Sequence, residues 1–364
     1  MANTFSFIGL GLIGGSIAKA LRNAFPSCQI KAYDINMHAL ALAQSEKTVD
    51  RIFASIDDDL LSCEYLFLCA PVSRNDALLS QLKGHLSPGT IITDVGSVKE
   101  TTHSAIEAAG LSHCFIGGHP MAGSEKTGFE NANPLLLENA YYILTPTQSV
   151  PKERVTRLKQ IVESIGAIPL VLDYQKHDYI TAAVSHVPHI IAASLVNLVK
   201  ASDDKNGLMK LIAAGGFKDI TRIASSSPVM WQSICLTNTE NIRLLLHAYI
   251  SQLQEIENDL AKKDADSLFS LFDTAKEYRD NFTNGNHGPI KKEFAIHVDI
   301  PDVPGSIAKT ATLLADHCLS IRNIGIMHSR EFQEGALRIV FYDEPTMQAA
   351  SRVLKEHSYT IYDR

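Results

Sequence analysis

The stretch GGHPMAGSEKTG, Gly117 to Gly128, sets a His, a Ser, a Glu and a Lys among four glycines. His119 is the side chain there suited to taking up a proton near neutral pH, because an imidazole's ordinary pKa lies in that range. A second polar stretch, TDVGSVKE from Thr93 to Glu100, contains Ser97. Each follows a β-rich run. Ligands of open α/β sheets bind at the carboxyl ends of strands, so the two stretches are expected to converge on one site. A histidine in such a place can also simply bond a backbone carbonyl, and the elements around it have to decide.

Those elements fall into three blocks. FSFIGL, QIKAYD, EYLFLCAP, TIITDV, CFIGGHP, YYILTP and AIPLVLD read as strands, and GSIAKALRNAF, ALLSQLKGHL, KETTHSAIEAAG and KERVTRLKQIVESIG as helices. Their alternation predicts a mainly parallel sheet covered by helices over residues 1–173. From 174 to 282 the strand signals stop and the chain reads as all-helical, broken at Gly215-Gly216 and Pro228. Turn residues make 283–292 a linker. The tail, 293–364, runs β-α-β-β-α-β, the ferredoxin-like split unit.

Composition sets outer limits. A chain of 364 residues is long enough for two or three domains. A net charge of −7 argues against a nucleic-acid partner, which needs a concentrated basic surface. The six cysteines form no C-x-x-C pair, so no metal site or disulfide framework is expected, and the N-terminus lacks a signal-peptide pattern. The expected location is the cytoplasm. Tyr179 to Val199 carries no Asp, Glu, Lys or Arg. With two His, two Ser, an Asn and a Pro, it is read as the buried centre of the helical domain rather than a membrane span.

The strongest local motif is FSFIGLGLIGGSIAKAL. Gly9, Gly11 and Gly14 form G-x-G-x-x-G between a strand and a helix. The first glycine permits the turn, the second lets a pyrophosphate approach, and the third lets the helix pack on the sheet. Asp34, ending QIKAYD, is placed to bond a ribose 2′-hydroxyl and repel a 2′-phosphate, which predicts NAD rather than NADP. The expected cofactor contacts are Gly9, Gly11, Leu12, Ile13, Gly14 and Asp34, with Ala70, Pro71 and Val72 after EYLFLCAP, and Ser97.

Taken together, GLGLIGGS, TDVGSVK, GGHPMAGSEKTG, SHVPH and GGFKDITRIASSSPVMW resemble the prephenate dehydrogenase family, in the family's order, over roughly residues 4 to 282. The resemblance implies NAD-dependent oxidation of the ring C4 hydroxyl of prephenate. The ring carboxylate leaves as CO2, and 4-hydroxyphenylpyruvate, the precursor of tyrosine, remains. It implies that His119 bonds the C4 hydroxyl with Ser97 as its partner, and that Arg222 grips the ring carboxylate. It also implies that the glycines around His119 let backbone lie close to both ligands. It also places Ser124, Glu125 and Asp219 at the substrate entrance, His189 and Gly215 near the pyruvyl side chain, and Trp231 at the pocket's edge. His177 and Asp178 are assigned to helix initiation, and His186 to a structural role. The helical domain is implied to form a homodimer.

The tail's VDIPDVPGSIAKTATLLADHCLSIRNI resembles an ACT domain, with Asp302, Val303, Pro304, Gly305 and Asn323 as expected effector contacts and tyrosine as the effector that pathway logic suggests. Three other readings stay open. One is arogenate as substrate. The second is a β-hydroxyacid-type dehydrogenase, disfavoured because HDYITAAVSHVPH has no lysine. The third is a non-catalytic sensor of NAD and an amino acid.

Overall fold

The structure, a computed structural model, describes residues 3–70, 78–79, 82–124, 126–284, 294–301, 303–327 and 336–362. The chain divides into two compact units, Met1–Asp264 and Ala265–Arg364. Helix Ala265–Asn284, which the sequence assigns to the central helical block, belongs to the second unit.

Five parallel strands open the first unit: β1 (Thr4–Ile8), β2 (Gln29–Tyr33), β3 (Arg51–Phe53), β4 (Tyr65–Leu68) and β5 (Ile91–Asp94), in the order β3-β2-β1-β4-β5. The apolar runs are buried as a parallel sheet requires: Phe5, Phe7 and Phe67 are all enclosed, and Phe7 stacks on Phe67 at 4.9 Å. The chain leaves β1 toward β2 and β3, then returns to β4 on the other side of β1. That reversal opens a crevice between the ends of β1 and β4, the place where such sheets bind ligands. Helix α1 (Leu12–Ala24) follows β1, and α2 (Met37–Ser45), capped by the Asn36 side chain, follows β2. α2 and the three-residue β3 carry too short a pattern to stand out in the sequence. The helix expected over 77–86 lies partly outside the described residues; Leu78, Leu79 and Leu82 are helical.

The last three strands do not extend this sheet. β6 (Ile116–Pro120), β7 (Tyr141–Pro146) and β8 (Ile168–Val171) form their own, with β6 and β7 antiparallel and β7 and β8 parallel. A bridge between Ile92 and Phe115 links the two. No long helix lies between β6 and β7, only the short turns Phe129–Asn131 and Pro134–Leu137, so nothing imposes a parallel crossover.

Helix α4 (Glu100–Ala108) follows β5, after the short α3 (Asp58–Leu61), and α5 (Lys152–Ser164) precedes β8. The helical layer begins with α6 (Tyr174–Thr181), passes through a π-helical turn at Ala182–His186, and continues as α7 (Val187–Ser202). Pro188 has no N–H to donate to the carbonyl four residues back, and the wider turn absorbs that loss. Four further helices complete the layer: α8 (Leu208–Ile212), α9 (Gly215–Thr221), α10 (Pro228–Thr237) and α11 (Thr239–Lys262), with the short 3-10 turn Arg222–Ser225. The expectation that Tyr179 to Val199 is a buried centre is not met in the single chain. Only 22% of the apolar window of Tyr174–Ser202 is enclosed, although its length and hydropathy would suit a membrane span.

The second unit holds an antiparallel sheet in the order β10-β11-β9-β12, from β9 (Phe294–Asp299), β10 (Ile321–Met327), β11 (Ala336–Phe341) and β12 (Ile361–Tyr362). Helices Ser306–Asp316 and Glu344–Glu356 bury Leu314 and Leu354 against it. This is the predicted β-α-β-β-α-β order.

Candidate active site

The glycine turn is built as its spacing requires. Gly9 sits at φ +95°, and a Cβ there would meet the Cys69–Ala70 backbone within 2.8 Å. A Cβ at Gly14 would strike the Gly9 carbonyl at 2.7 Å and Cys69, so this glycine sets the distance between α1 and the sheet. At Gly11 nothing lies within 4 Å. This glycine leaves space free for a ligand rather than for the protein. The N-terminus of α1 has no side-chain cap, so the N–H groups of Leu12 and Ile13 in its first turn can meet a pyrophosphate. Asp34 accepts from the Leu10 N–H at 2.5 Å and from the Asn36 N–H at 2.7 Å. It buttresses the turn and keeps acceptor capacity on each oxygen for a ribose hydroxyl. Ala70 borders the same crevice, half-buried; Pro71 and Val72 lie outside the described residues.

His119 is not on a flexible loop. It ends β6 and is 8% exposed. Its glycine neighbours serve packing: a Cβ on Gly117 would collide with the Thr145 hydroxyl, and one on Gly118 with the Asp94 carbonyl. These glycines therefore admit other strands of the protein. The two polar stretches do converge. Asp94, at the end of β5, accepts from the Gly118 N–H at 3.0 Å, and Lys99 donates to the Gly118 carbonyl at 2.7 Å.

The imidazole partner of His119 is His177 rather than Ser97. His119 Nδ1 lies 2.8 Å from His177 Nε2, and His177 Nδ1 lies 2.7 Å from Asp178 Oδ1. Ser97 stands half-buried in the loop after β5. His177 and Asp178 do not initiate their own helix, either. Asp173 caps α6, whereas the Asp178 carboxylate accepts the Lys99 and Glu100 N–H groups at the start of α4. A carboxylate only accepts, so a neutral His177 carries its proton on Nδ1 and presents Nε2 as an acceptor. His119 must then donate from Nδ1, which leaves the lone pair of its Nε2 as the basic atom. Burial pushes the His119 pKa well below the ordinary 6.5, and His177, Lys99 and His186 push it further. The ring is a neutral base at physiological pH.

On the helical side, His189 stacks on Trp231 with ring centroids 3.7 Å apart, and His186 meets the same indole edge-on at 6.0 Å. His189 Nδ1 donates to the Ser185 carbonyl at 2.8 Å. Burial lowers the His189 pKa, and Arg222 is close enough to add to the effect. His189, Trp231 and Arg222 are thereby gathered, and His186, which acts on His119, joins the two groups. Trp231 is half-buried, with its indole nitrogen enclosed and without a hydrogen-bond partner. His186 bonds Asn238 at 3.1 Å, in keeping with its assigned structural role. Gly215 and Asp219 are exposed on α9, and Ser124 is exposed with its hydroxyl accepting the Lys126 N–H. Glu125 lies outside the described residues. A separate cleft of about 980 Å³ lies between α4 and the α10–α11 junction, and none of the expected ligand residues lines it.

Two family models match the chain: the nucleotide-binding domain of prephenate dehydrogenase over residues 17–170, and its dimerization domain over 173–274. The chain belongs to the prephenate dehydrogenase family. The prephenate dehydrogenase of Bacillus subtilis is 37% identical over 98% of this chain and 96% of its own length. Among solved structures, prephenate dehydrogenase from A. aeolicus, in complex with hydroxyphenyl propionate and NAD+, superposes with a TM-score of 0.72 at 32% identity, over 78% of this chain and 98% of that one. Synechocystis arogenate dehydrogenase gives 0.69 at 28% identity, over 77% and 99%. Family membership makes the chain an NAD-dependent oxidoreductase, and the glycine turn with its open space at Gly11 fits that cofactor.

In the second unit, Gly305 takes φ +94° ahead of helix Ser306–Asp316, which has no side-chain cap. Val303 and Asn323 are exposed, Asn323 on the edge strand β10. Asp302 lies outside the described residues.

Proposed function

We propose that this chain oxidises prephenate with NAD and releases CO2, giving 4-hydroxyphenylpyruvate. The observation that carries the reading is the hydrogen-bonded line Asp178–His177–His119, which leaves one buried, neutral imidazole nitrogen as a base beside the dinucleotide crevice. Bound NAD supplies the hydride acceptor. His119 Nε2 takes the C4 hydroxyl proton, so that the alcohol can become a carbonyl as the hydride leaves. Arg222 supplies a guanidinium for the substrate's carboxylate, and the His189–Trp231 stack forms an aromatic wall beside it. The carboxylate must depart as neutral CO2, so the guanidinium orients it more than it stabilises it.

The test is to follow reduced cofactor spectrophotometrically with prephenate and, separately, with arogenate. Rapid turnover of prephenate is the expected result, and none with either substrate overturns the reading. One observation keeps arogenate in the comparison. His189 spends its Nδ1–H on Ser185, so its Nε2 is an acceptor, which suits the ammonium of arogenate better than a keto oxygen.

The same reading makes the protein a cytoplasmic homodimer paired through its helical layer, with a domain boundary near 173; of the linker expected at 283–292, residues 283–284 end helix Ala265–Asn284 and the rest lies outside the described residues. The exposed apolar side chains Leu198, Leu211, Ile212 and Leu244 support that pairing. It also takes residues 293–364 as an ACT domain that binds tyrosine near Val303–Gly305 and Asn323. Inhibition that saturates with tyrosine is expected. A flat rate up to millimolar tyrosine removes the effector.

A further inference from the structure

Lys99 and Asp94 are both completely buried, and Lys99 donates to the Asp94 carboxylate and to the Gly118 carbonyl. Asp94 in turn accepts from the Gly96 and Gly118 N–H groups, each at 3.0 Å. β6 is the edge strand of its sheet, so the outward N–H and C=O of Gly118 have no neighbouring strand. The ion pair takes both. It grips, by two charge-assisted bonds, the two peptide groups that flank Gly118, the residue immediately ahead of His119. A buried ion pair gives little net stability over an apolar replacement of the same volume, so stability alone is a weak reason to keep one here.

We propose that the buried Lys99–Asp94 pair is a positioning couple for the reaction, fixing the backbone at Gly118 and through it the placement of the His119 ring. The inference rests on His119 being the base of the proposed oxidation. Lys99 has a second effect through space. The titratable groups acting on His119 among the described residues are His177 from α6, His186 from the π-turn and Lys99 from the loop after β5, and all three oppose its protonation. Asp178 stands behind His177 and Asp94 beside Lys99. Removing the Lys99 cation therefore makes His119 easier to protonate, whereas filling an edge strand would have no such consequence.

The experiment compares the pH dependence of kcat/KM in the wild type, in Lys99→Met, and in Lys99→Met combined with Asp94→Asn, which leaves no lone buried charge and retains an acceptor for Gly118. NAD binding measured on each variant reports whether the site is intact. The expected result is NAD affinity like that of the wild type, an acidic limb displaced to higher pH, and a kcat lowered about ten- to hundredfold, as a small misplacement of a catalytic group produces. A variant that binds NAD normally and keeps the wild-type acidic limb and kcat overturns the proposal. If neither variant folds, Lys99→Arg, which keeps the buried cation but changes its grip on the Gly118 carbonyl, decides. A wild-type kcat in Lys99→Arg refutes the inference, and a lowered kcat with normal NAD affinity and an unchanged acidic limb upholds it. If the wild type turns over neither prephenate nor arogenate, the functional reading fails, and nitrogen NMR of the His119 imidazole, compared between the wild type and Lys99→Met, still judges the role of Lys99.

Discussion

A single methyl group separates two glycines that look alike in the sequence. Gly11→Ala adds a methyl group to open space, so the variant should fold with unchanged stability and bind NAD about tenfold more weakly, because the methyl takes the space of the pyrophosphate. Gly118→Ala drives the same methyl into the Asp94 carbonyl and should lose folded yield as well as activity. Calorimetric binding and thermal melts on the two proteins check the contrast; equal behaviour would contradict it. His119→Asn should lower kcat by about 10²–10⁴, the usual share of a positioned base. Arg222→Gln should instead raise the KM for prephenate, by the equivalent of about one to three kcal/mol of lost charge-assisted bonding. A wild-type KM would take Arg222 out of the site.

Elements meet in this protein through buried histidines. His103 of α4 bonds the Thr145 hydroxyl of β7 at 2.9 Å and stacks on Tyr174 of α6, and His186 in the π-turn bonds Asn238. Burial lowers the pKa of each from 6.5 to about 4. The unfolded chain therefore binds more protons than the folded one between those values. Their neutral, bonded forms contribute fully above pH 6.5, and the contribution is lost progressively as pH falls toward 4. Urea unfolding at pH 7 and pH 5 should show the loss, and replacing His103 with Gln should make the dependence shallower. An unchanged midpoint across that interval would refute the assignment. The only tryptophan of the chain sits on the His189 ring, so intrinsic fluorescence should change when a hydroxyphenyl acid enters the site.

For the whole molecule the question is what covers the helical layer. Leu211 and Ile212 are 77% and 75% exposed, more than an isolated apolar side chain tolerates when its neighbours are apolar too. Leu211→Glu together with Ile212→Glu should convert dimers into monomers in sedimentation at micromolar concentration, with NAD binding retained, because the cofactor crevice lies in the other layer. A monomeric wild type would refute the pairing directly. The 37% identity to the Bacillus subtilis relative runs over 98% of the chain, so the second unit is shared with that enzyme as well as the catalytic layers.

Features encoded by local spacing were legible without coordinates. The G-x-G-x-x-G turn, the acid ending β2, the change from strands to helices after 173 and the order of the terminal unit all follow from periodicity or from conformations that only glycine allows. His119 was a candidate by residue type and strand-end position, and its role as the proposed base came from the family resemblance. What surrounds His119 was not legible. His177 is 58 residues away, and Asp178 reaches 79 residues back to Lys99. Lys99 looked like the polar start of a helix, and Asp178 like the start of another. Pairings across such separations depend on how layers pack, which spacing along the chain does not record, and burial then assigns the protons. The sequence by itself determined which side chain could act as the base. The tertiary structure decided which of its nitrogens is free, and which buried charges lie against its strand.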